Sequence, residues 1–149
     1  DMSVETMSKL YELKNIVGVK DATGDLKRVD SQLKSMGKEF IQLTGNDDNA
    51  LEFNKRGGVG AIGVTANIAA KLSSDFQKAC KKDMDEAVKL DKILQPLHSS
   101  LFIESNPSPV KYAASLLKMC SPNVRLPLVE IRDETKKKVS DALKSAKLL

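Results

Sequence analysis

The sequence has little of the chemistry that disulfide scaffolds and metal sites require. Its 149 residues include two cysteines, Cys80 and Cys120, and one histidine, His98. Cys80 falls at helical spacing from Phe76 and Cys120 ends an apolar run, so we expect both to pack as small apolar residues. His98 lies in the polar part of a helical pattern with no second ligand spaced from it, which predicts a surface residue. The sequence therefore predicts neither a disulfide scaffold nor a metal site.

Aromatic residues are also scarce, at 4% of the sequence, and tryptophan is absent. The net charge of +4 would suit a nucleic-acid partner. The positive residues, however, are spread along helical segments and interleaved with acids, as in residues 81–86. The longest basic run, at residues 136–138, opens the last predicted helix and has no aromatic residue interleaved with it. Without stacking platforms we expect no nucleic-acid partner, and solvated helix faces account better for the charge.

Long hydrophobic runs are missing as well. No apolar run approaches the roughly 18 residues that a bilayer crossing takes. The first five residues do not pair a basic region with an apolar one, as a secretory leader would. The balance of 41% hydrophobic and 30% charged residues is typical of an ordinary globular domain. We therefore expect no membrane association, and a bacterial-type cytoplasm is the simplest compartment.

The first half of the sequence alternates between short apolar runs and amphipathic segments. Asp25 can cap one predicted helix, which stops at Gly37, and Asp47 or Asp48 can cap another. Consecutive βα units of this kind form a parallel sheet with right-handed crossovers. The fold class predicted here is therefore α/β, with about three βα units. The predicted strands are residues 15–20, 40–44 and 60–65.

Lys20 stands at the end of the first predicted strand, immediately before a loop that opens a helix. Loops that follow parallel strands gather on one face, so Lys20, Gly45 and the backbone of Ile62 are expected to converge there. An ordinary lysine amine is protonated at neutral pH. One held between apolar walls or near another cation can lose its charge and attack a carbonyl to form a Schiff base. From position alone, a solvated and chemically idle lysine is the alternative.

The rest of the sequence is wholly helical, with Pro109 suited to the first turn of a helix that runs to about Met119. Some of its predicted helices carry more apolar surface than packing against one sheet requires. This favours a helical appendage or a subunit contact. Three parallel strands cannot close a barrel, and an open three-stranded sheet leaves two bare edges. A full eight-fold βα barrel takes about 250 residues. Because Asp1 is also not a translation start, we expect a piece of a longer protein.

Five motifs, in order along the whole chain, resemble the carboxyl half of the dihydrodipicolinate synthase family. These enzymes are Schiff-base aldolases in the larger group that includes N-acetylneuraminate lyase. The Ala-Thr-Gly that follows the lysine is more similar to the synthases than to the sialic acid lyases. The motifs are GVKDATG at 18–24, TGND at 44–47, GGVGAIGVTAN at 57–67, NPSPVK at 106–111 and RLPL at 125–128.

The resemblance implies the C-terminal part of a TIM (β/α)8 barrel followed by a C-terminal helical region. Residues 1–70 would supply strands six to eight, and residues 71–149 the last barrel helix and the helical region. Lys20 falls on the family's lysine that forms a Schiff base with pyruvate. The backbone carbonyl of Ile62 would border the pyruvate site, and Gly45 would lie beside the second substrate, aspartate semialdehyde. The covalent Schiff base needs no cofactor or metal.

One departure from the family pattern lies next to Gly45. Many members read Gly-Asp-Asp where this chain has Gly45, Asn46 and Asp47. Any role of the first of those two acids is therefore in doubt for this chain. Tyr11 and Tyr112 fall on predicted helices and do not match the tyrosines of the family's proton relay.

The resemblance also implies partners and an activity. The proton relay of one threonine and two tyrosines belongs to the amino half of the barrel, so a complementary N-terminal half is expected. A homotetramer is implied too, with the surface near Leu26 in a subunit contact. The implied reaction condenses pyruvate with L-aspartate 4-semialdehyde in lysine (diaminopimelate) biosynthesis. Two alternatives stay open: a catalytically incompetent half-barrel with a structural or assembly role, and a related pyruvate-dependent aldolase such as N-acetylneuraminate lyase.

Overall fold

A computed structural model describes all residues of the chain, 1–149. The chain divides into two compact units, residues 1–63 and 64–149. The predicted division into a barrel region ending at residue 70 and a helical region beginning at 71 concerns a whole barrel and stays a prediction. The elements of the first unit are α1 (Val4–Tyr11), β1 (Gly18–Asp21), α2 (Lys27–Met36), β2 (Ile41–Thr44), a 3-10 turn (Asp47–Asn49), α3 (Ala50–Lys55) and β3 (Gly60–Ala61).

The three strands form one parallel sheet in the order β1-β2-β3, which confirms the predicted consecutive βα units. Lys20 is in register with Leu43, and Leu43 is in register with Gly60. β1 begins later than predicted because residues 12–15 form a turn, with backbone bonds from Leu13 to Leu10 and from Ile16 to Leu13. β3 is only two residues long, since the chain turns away after the Ile62 amide has bonded the Thr44 carbonyl.

The two faces of the sheet differ sharply. Gln42 and Thr44 are buried on the helix side, where the Gln42 amide donates to the Val29 carbonyl of α2 at 3.3 Å. Because strand side chains alternate between faces, Ile41 points the other way and is 43% exposed. The nearly continuous apolar run at residues 15–20 is typical of a parallel strand that is buried on both faces. The residues of this chain cover one face only.

The ends of α2 follow the predicted signals closely. The Asp25 carboxylate accepts a hydrogen bond from the Lys27 amide at 2.9 Å, so it satisfies a free donor of the first turn. Gly37 ends the helix with φ at +80°, a conformation that glycine adopts without strain. The prediction for α3 was less accurate: Asp47 and Asp48 lie in the 3-10 turn, and Asn49 precedes the helix without a side-chain cap.

The second unit consists of a 3-10 turn (Thr65–Asn67) and the helices α4 (Ala70–Lys82), α5 (Met84–Ser100), α6 (Ser108–Leu116) and α7 (Asp133–Ser145). The predicted apolar stripes of α5 and α7 form its core, where Leu94, Leu97, Leu101 and Leu143 are fully buried. Pro109 lies in the first turn of α6, as predicted. None of the seven helices of the chain has the length and apolarity that crossing a membrane requires.

Three predictions for the helical unit are wrong in detail. α7 begins at Asp133, so the basic run at 136–138 lies inside the helix rather than opening it. α6 ends at Leu116, earlier than the predicted Met119, and Lys118 turns the chain with φ at 59°. Cys120 therefore follows the helix and is exposed instead of packing as an apolar residue, whereas Cys80 is half-buried in α4.

Candidate active site

Lys20 lies on β1 one residue before the strand ends, so β1 runs one residue beyond the end predicted at Lys20. Its neighbour Asp21 is turned toward α2, where it bonds Arg28, so alternation turns Lys20 to the sheet face that this chain leaves open. Lys20 is exposed there. The amine is therefore accessible to a small carbonyl compound at the carboxyl edge of the sheet.

Gly45 follows β2 directly and lies against the Lys20 side chain. Its amide donates to the Asp21 carbonyl at 2.7 Å, which fixes the loop beside the end of β1. A Cβ atom at Gly45 would lie 2.8 Å from Cε of Lys20 and 2.6 Å from Cβ of Ala22. Contacts between carbon atoms are optimal near 3.5–4.0 Å. The missing side chain at position 45 therefore makes room for the lysine, and the structure brings two of the three predicted site residues together.

Gly45→Ala is expected to slow the Schiff-base formation that the sequence predicts for Lys20. The new methyl group must displace the lysine side chain and the Ala22 loop together, and a misplacement of about 1 Å can cost up to about 10²-fold in rate. The measurement is the rate of the borohydride-trapped pyruvate adduct. An adduct rate equal to that of the parent protein would contradict the packing of Lys20 against Gly45.

Ile62 continues the same edge of the sheet beyond β3. Its amide donates to the Thr44 carbonyl at 2.8 Å, and its side chain is 56% exposed. β2 lies between β1 and β3 in the sheet. Ile62 and Lys20 are therefore both at the carboxyl end of the sheet, but they do not belong to neighbouring strands. The role of the Ile62 carbonyl beside pyruvate stays a prediction.

The loops that follow β2 and β3 touch through a residue pair that the sequence did not single out. The Asp47 carboxylate lies directly against Gly63, where any side chain would overlap it. Within the first loop, the Thr44 hydroxyl accepts from the Asn46 amide at 3.0 Å and bonds the Asn49 side chain at 2.9 Å. Thr44 is fully buried, so the end of this network at its hydroxyl is shielded from water. The loop carrying Gly45 is therefore fixed from both ends.

Asp21 is the most strongly held carboxylate near Lys20. Burial raises the pKa of its carboxyl group, but hydrogen bonds from Arg28, Thr23 and Gln32 outweigh that effect and lower the pKa to about 2. Arg28 donates through Nε at 2.7 Å, and the Asp21 side chain is 7% exposed. The sequence motif contained Asp21, but nothing in the spacing of residues indicated these partners.

Asp21 is expected to make the protein sensitive to acid. Its folded pKa lies below the unfolded value, so its stabilisation is complete above pH ~4 and is lost as the pH falls toward 2. The contribution is on the order of 1–2 kcal/mol. Urea unfolding at pH 5 and pH 3 should show a steeper loss of stability for the parent than for Asp21→Asn. Equal losses in the two proteins would refute this assignment.

His98 is buried rather than on the surface, which corrects the sequence-based expectation. It lies on α5 with 5% of its surface exposed, and its Nδ1 is 2.7 Å from the Thr65 hydroxyl. Thr65 is itself fully buried in the 3-10 turn of the second unit. The polar sequence neighbours of His98 concealed this, because a hydrogen bond to a residue 33 positions away leaves no periodic signal.

Comparison with known proteins connects this geometry to one family. The sequence model of the Dihydrodipicolinate synthetase family matches residues 1–146. A 4-hydroxy-tetrahydrodipicolinate synthase from Pelagibacter ubique is 69% identical over the whole chain, which covers 52% of that protein. The chain thus spans about half the length of the curated relatives it matches.

Solved structures agree with the sequence comparison. The dihydrodipicolinate synthase from Aquifex aeolicus has a TM-score of 0.94 at 35% identity, covering 99% of this chain and 51% of that one. The chloride-inhibited dihydrodipicolinate synthase from Acinetobacter baumannii, complexed with pyruvate, has a TM-score of 0.94 at 37% identity, covering 100% of this chain and 52% of that one. The chain belongs to the Dihydrodipicolinate synthetase family.

Proposed function

We propose that this chain is the C-terminal half of a 4-hydroxy-tetrahydrodipicolinate synthase, in which Lys20 forms a Schiff base with pyruvate. One observation carries the proposal: Lys20 is exposed at the carboxyl edge of a parallel sheet, against Gly45, in a chain that matches this family over residues 1–146. The pyruvate complex of the Acinetobacter relative supports the same ligand here. Gly45 and the Ile62 carbonyl line the substrate site in this proposal.

The unpaired edges of the sheet support the proposal of a partner that completes a (β/α)8 barrel. β1 and β3 each have an unpaired edge, and unpaired edges of a parallel sheet are seldom left open. The face carrying Lys20 also leaves Ile41 and Ile62 exposed. An N-terminal half that adds strands to both edges would cover these apolar side chains, with β1, β2 and β3 as strands six to eight.

The chemistry at Lys20 follows from its amine. The neutral amine adds to the C2 carbonyl of pyruvate and expels water, which leaves an imine. Loss of a methyl proton gives an enamine, and its carbon attacks the aldehyde carbon of L-aspartate 4-semialdehyde while the aldehyde oxygen takes up a proton. The amino group of that substrate then displaces Lys20 from C2, which closes the ring and regenerates the amine. The groups that move these protons belong to the N-terminal half.

Assembly of the complete enzyme into a homotetramer is part of the proposal. Leu26 is half-buried at the start of α2 and leaves surface available for a subunit contact. One structural relative is described as a monomeric dihydrodipicolinate synthase variant, so the fold alone does not set the oligomeric state.

The proposal is tested by supplying the missing half. This chain is co-expressed with the N-terminal half of the Pelagibacter relative, and turnover of pyruvate with L-aspartate 4-semialdehyde is measured for the complex and for the chain alone. A positioned proton relay typically contributes about 10²–10⁴-fold, so the complex should be faster by at least that factor. Trapping with pyruvate and borohydride should add one pyruvic acid less one oxygen atom to Lys20.

Three results would overturn the proposal. A complex that forms but gives neither turnover nor adduct would favour the catalytically incompetent half-barrel. Cleavage of N-acetylneuraminate in place of the condensation would assign the chain to the related lyases. Failure of the chain to bind the N-terminal half would contradict the proposal that two halves form one barrel.

A further inference from the structure

Asp21 connects the strand carrying Lys20 to the helix behind the sheet. Its Oδ1 accepts from the Thr23 amide at 2.9 Å and from the Thr23 hydroxyl at 2.7 Å. Its Oδ2 accepts from Nε of Arg28 at 2.7 Å and from Nε2 of Gln32 at 3.1 Å. One carboxylate therefore satisfies four donors, two in the loop after β1 and two on α2.

The network continues beyond the carboxylate. Arg28 also donates through Nη2 to the Met2 carbonyl at 2.8 Å, which ties in the segment before α1. On the other side, the Asp21 carbonyl accepts from the Gly45 amide at 2.7 Å. The side chain of Asp21 thus holds α2, while its backbone holds the loop against which Lys20 packs.

We propose that Asp21 is a positioning residue that directs the Lys20 amine along Gly45 and into the substrate site. This inference rests on the proposed Schiff-base function. Because Asp21 is anchored to α2 through its carboxylate and to the Gly45 loop through its carbonyl, the preceding residue cannot rotate about the strand without breaking charge-assisted hydrogen bonds. The lysine side chain is flexible, so the fixed backbone and Gly45 are what limit its directions.

Only a carboxylate meets all four donors. An asparagine keeps one oxygen for Thr23 but presents an amide group to the N–H donors of Arg28 and Gln32. Asp21→Asn should therefore release α2 from the end of β1 while keeping the local turn. Asp30→Asn is the matched control, because Asp30 lies on α2 as well and forms only an exposed ion pair with Arg56 at 2.6 Å.

The test measures borohydride-trapped adduct on Lys20 in the complex with the N-terminal half, as a function of pyruvate concentration. Asp21→Asn is expected to lower the maximal rate by about 10-fold or more, with the half-saturating pyruvate concentration changed by less than about 2-fold. Asp30→Asn should change neither by more than about 2-fold. Rates are corrected for the folded fraction, which is read from circular dichroism, so that a purely structural loss is not counted.

A milder variant covers the case in which Asp21→Asn does not fold. Gln32→Met removes one donor to Asp21 and also removes Oε1 of Gln32, a buried oxygen without a hydrogen-bond partner. We expect it to fold and to lower the maximal rate by about 2- to 5-fold. Unchanged maximal rates per folded molecule, in Asp21→Asn or in Gln32→Met where the former is unfolded, would overturn the positioning role. A parent complex without any adduct would instead refute the proposed function.

Discussion

Lys20→Ala is expected to abolish the pyruvate adduct completely. The substitution removes the only amine that the structure presents from β1 at the carboxyl edge of the sheet. Without it no imine forms, and borohydride has nothing to reduce at this site. The measurement is intact mass after treatment with pyruvate and borohydride, followed by peptide mapping. Turnover of the complex with the N-terminal half should fall to the level of the uncatalysed reaction.

Two further variants test whether the adduct depends on the nucleophilic amine of Lys20, rather than on its positive charge or on the general reactivity of lysines. Lys20→Arg keeps a positive charge but supplies no nucleophilic amine, so it should be as inactive as the alanine variant. Lys34→Ala removes an exposed lysine in the last turn of α2 and should leave the adduct unchanged. Adduct that persists in Lys20→Ala, mapped to another lysine, would sink the assignment of the nucleophile.

Sequence alone predicted those residues of the site that lie where a strand ends. A short apolar run followed by a loop predicts where a parallel strand stops, so Lys20 and Gly45 fall at the expected edge. Their mutual packing was not visible, because it depends on the register between β1 and β2. Register is a tertiary property that single-strand patterns do not specify.

The residues that sequence reasoning missed act through long-range polar contacts. His98 is read as a surface residue from its neighbours, yet it bonds Thr65 in a buried position. Asp21 sits in the quoted motif, but its bonds to Arg28 and Gln32 depend on how α2 docks on the sheet. Ile41 is exposed for a different reason, because in the proposed barrel it is the N-terminal half that covers this face of the sheet.

Gly18→Ala is expected to have the second large effect, through the contact between β1 and β2. Gly18 is in register with Ile41, and a Cβ atom at Gly18 would overlap the Ile41 carbonyl oxygen. That oxygen is backbone in a paired strand, so it cannot move aside without separating the strands. Overpacking of this kind costs about 1–3 kcal/mol or more. Thermal unfolding should show a melting temperature lower by several degrees, at about 2–4 °C per kcal/mol.

Gly60→Ala is the control that tests whether overlap with the backbone of β2 causes the loss of stability. A Cβ atom at Gly60 would meet only the Cδ2 atom of Leu43, at 3.1 Å, and that methyl group ends a flexible side chain. Gly60→Ala should therefore cost less than about 1 kcal/mol, although it too lies in the sheet. Because Gly18 precedes Lys20 by two residues, strand separation at Gly18 also moves the lysine away from Gly45. Gly18→Ala should then lose adduct formation as well as stability, whereas equal stability of the two variants would contradict the β1–β2 register on which the site depends.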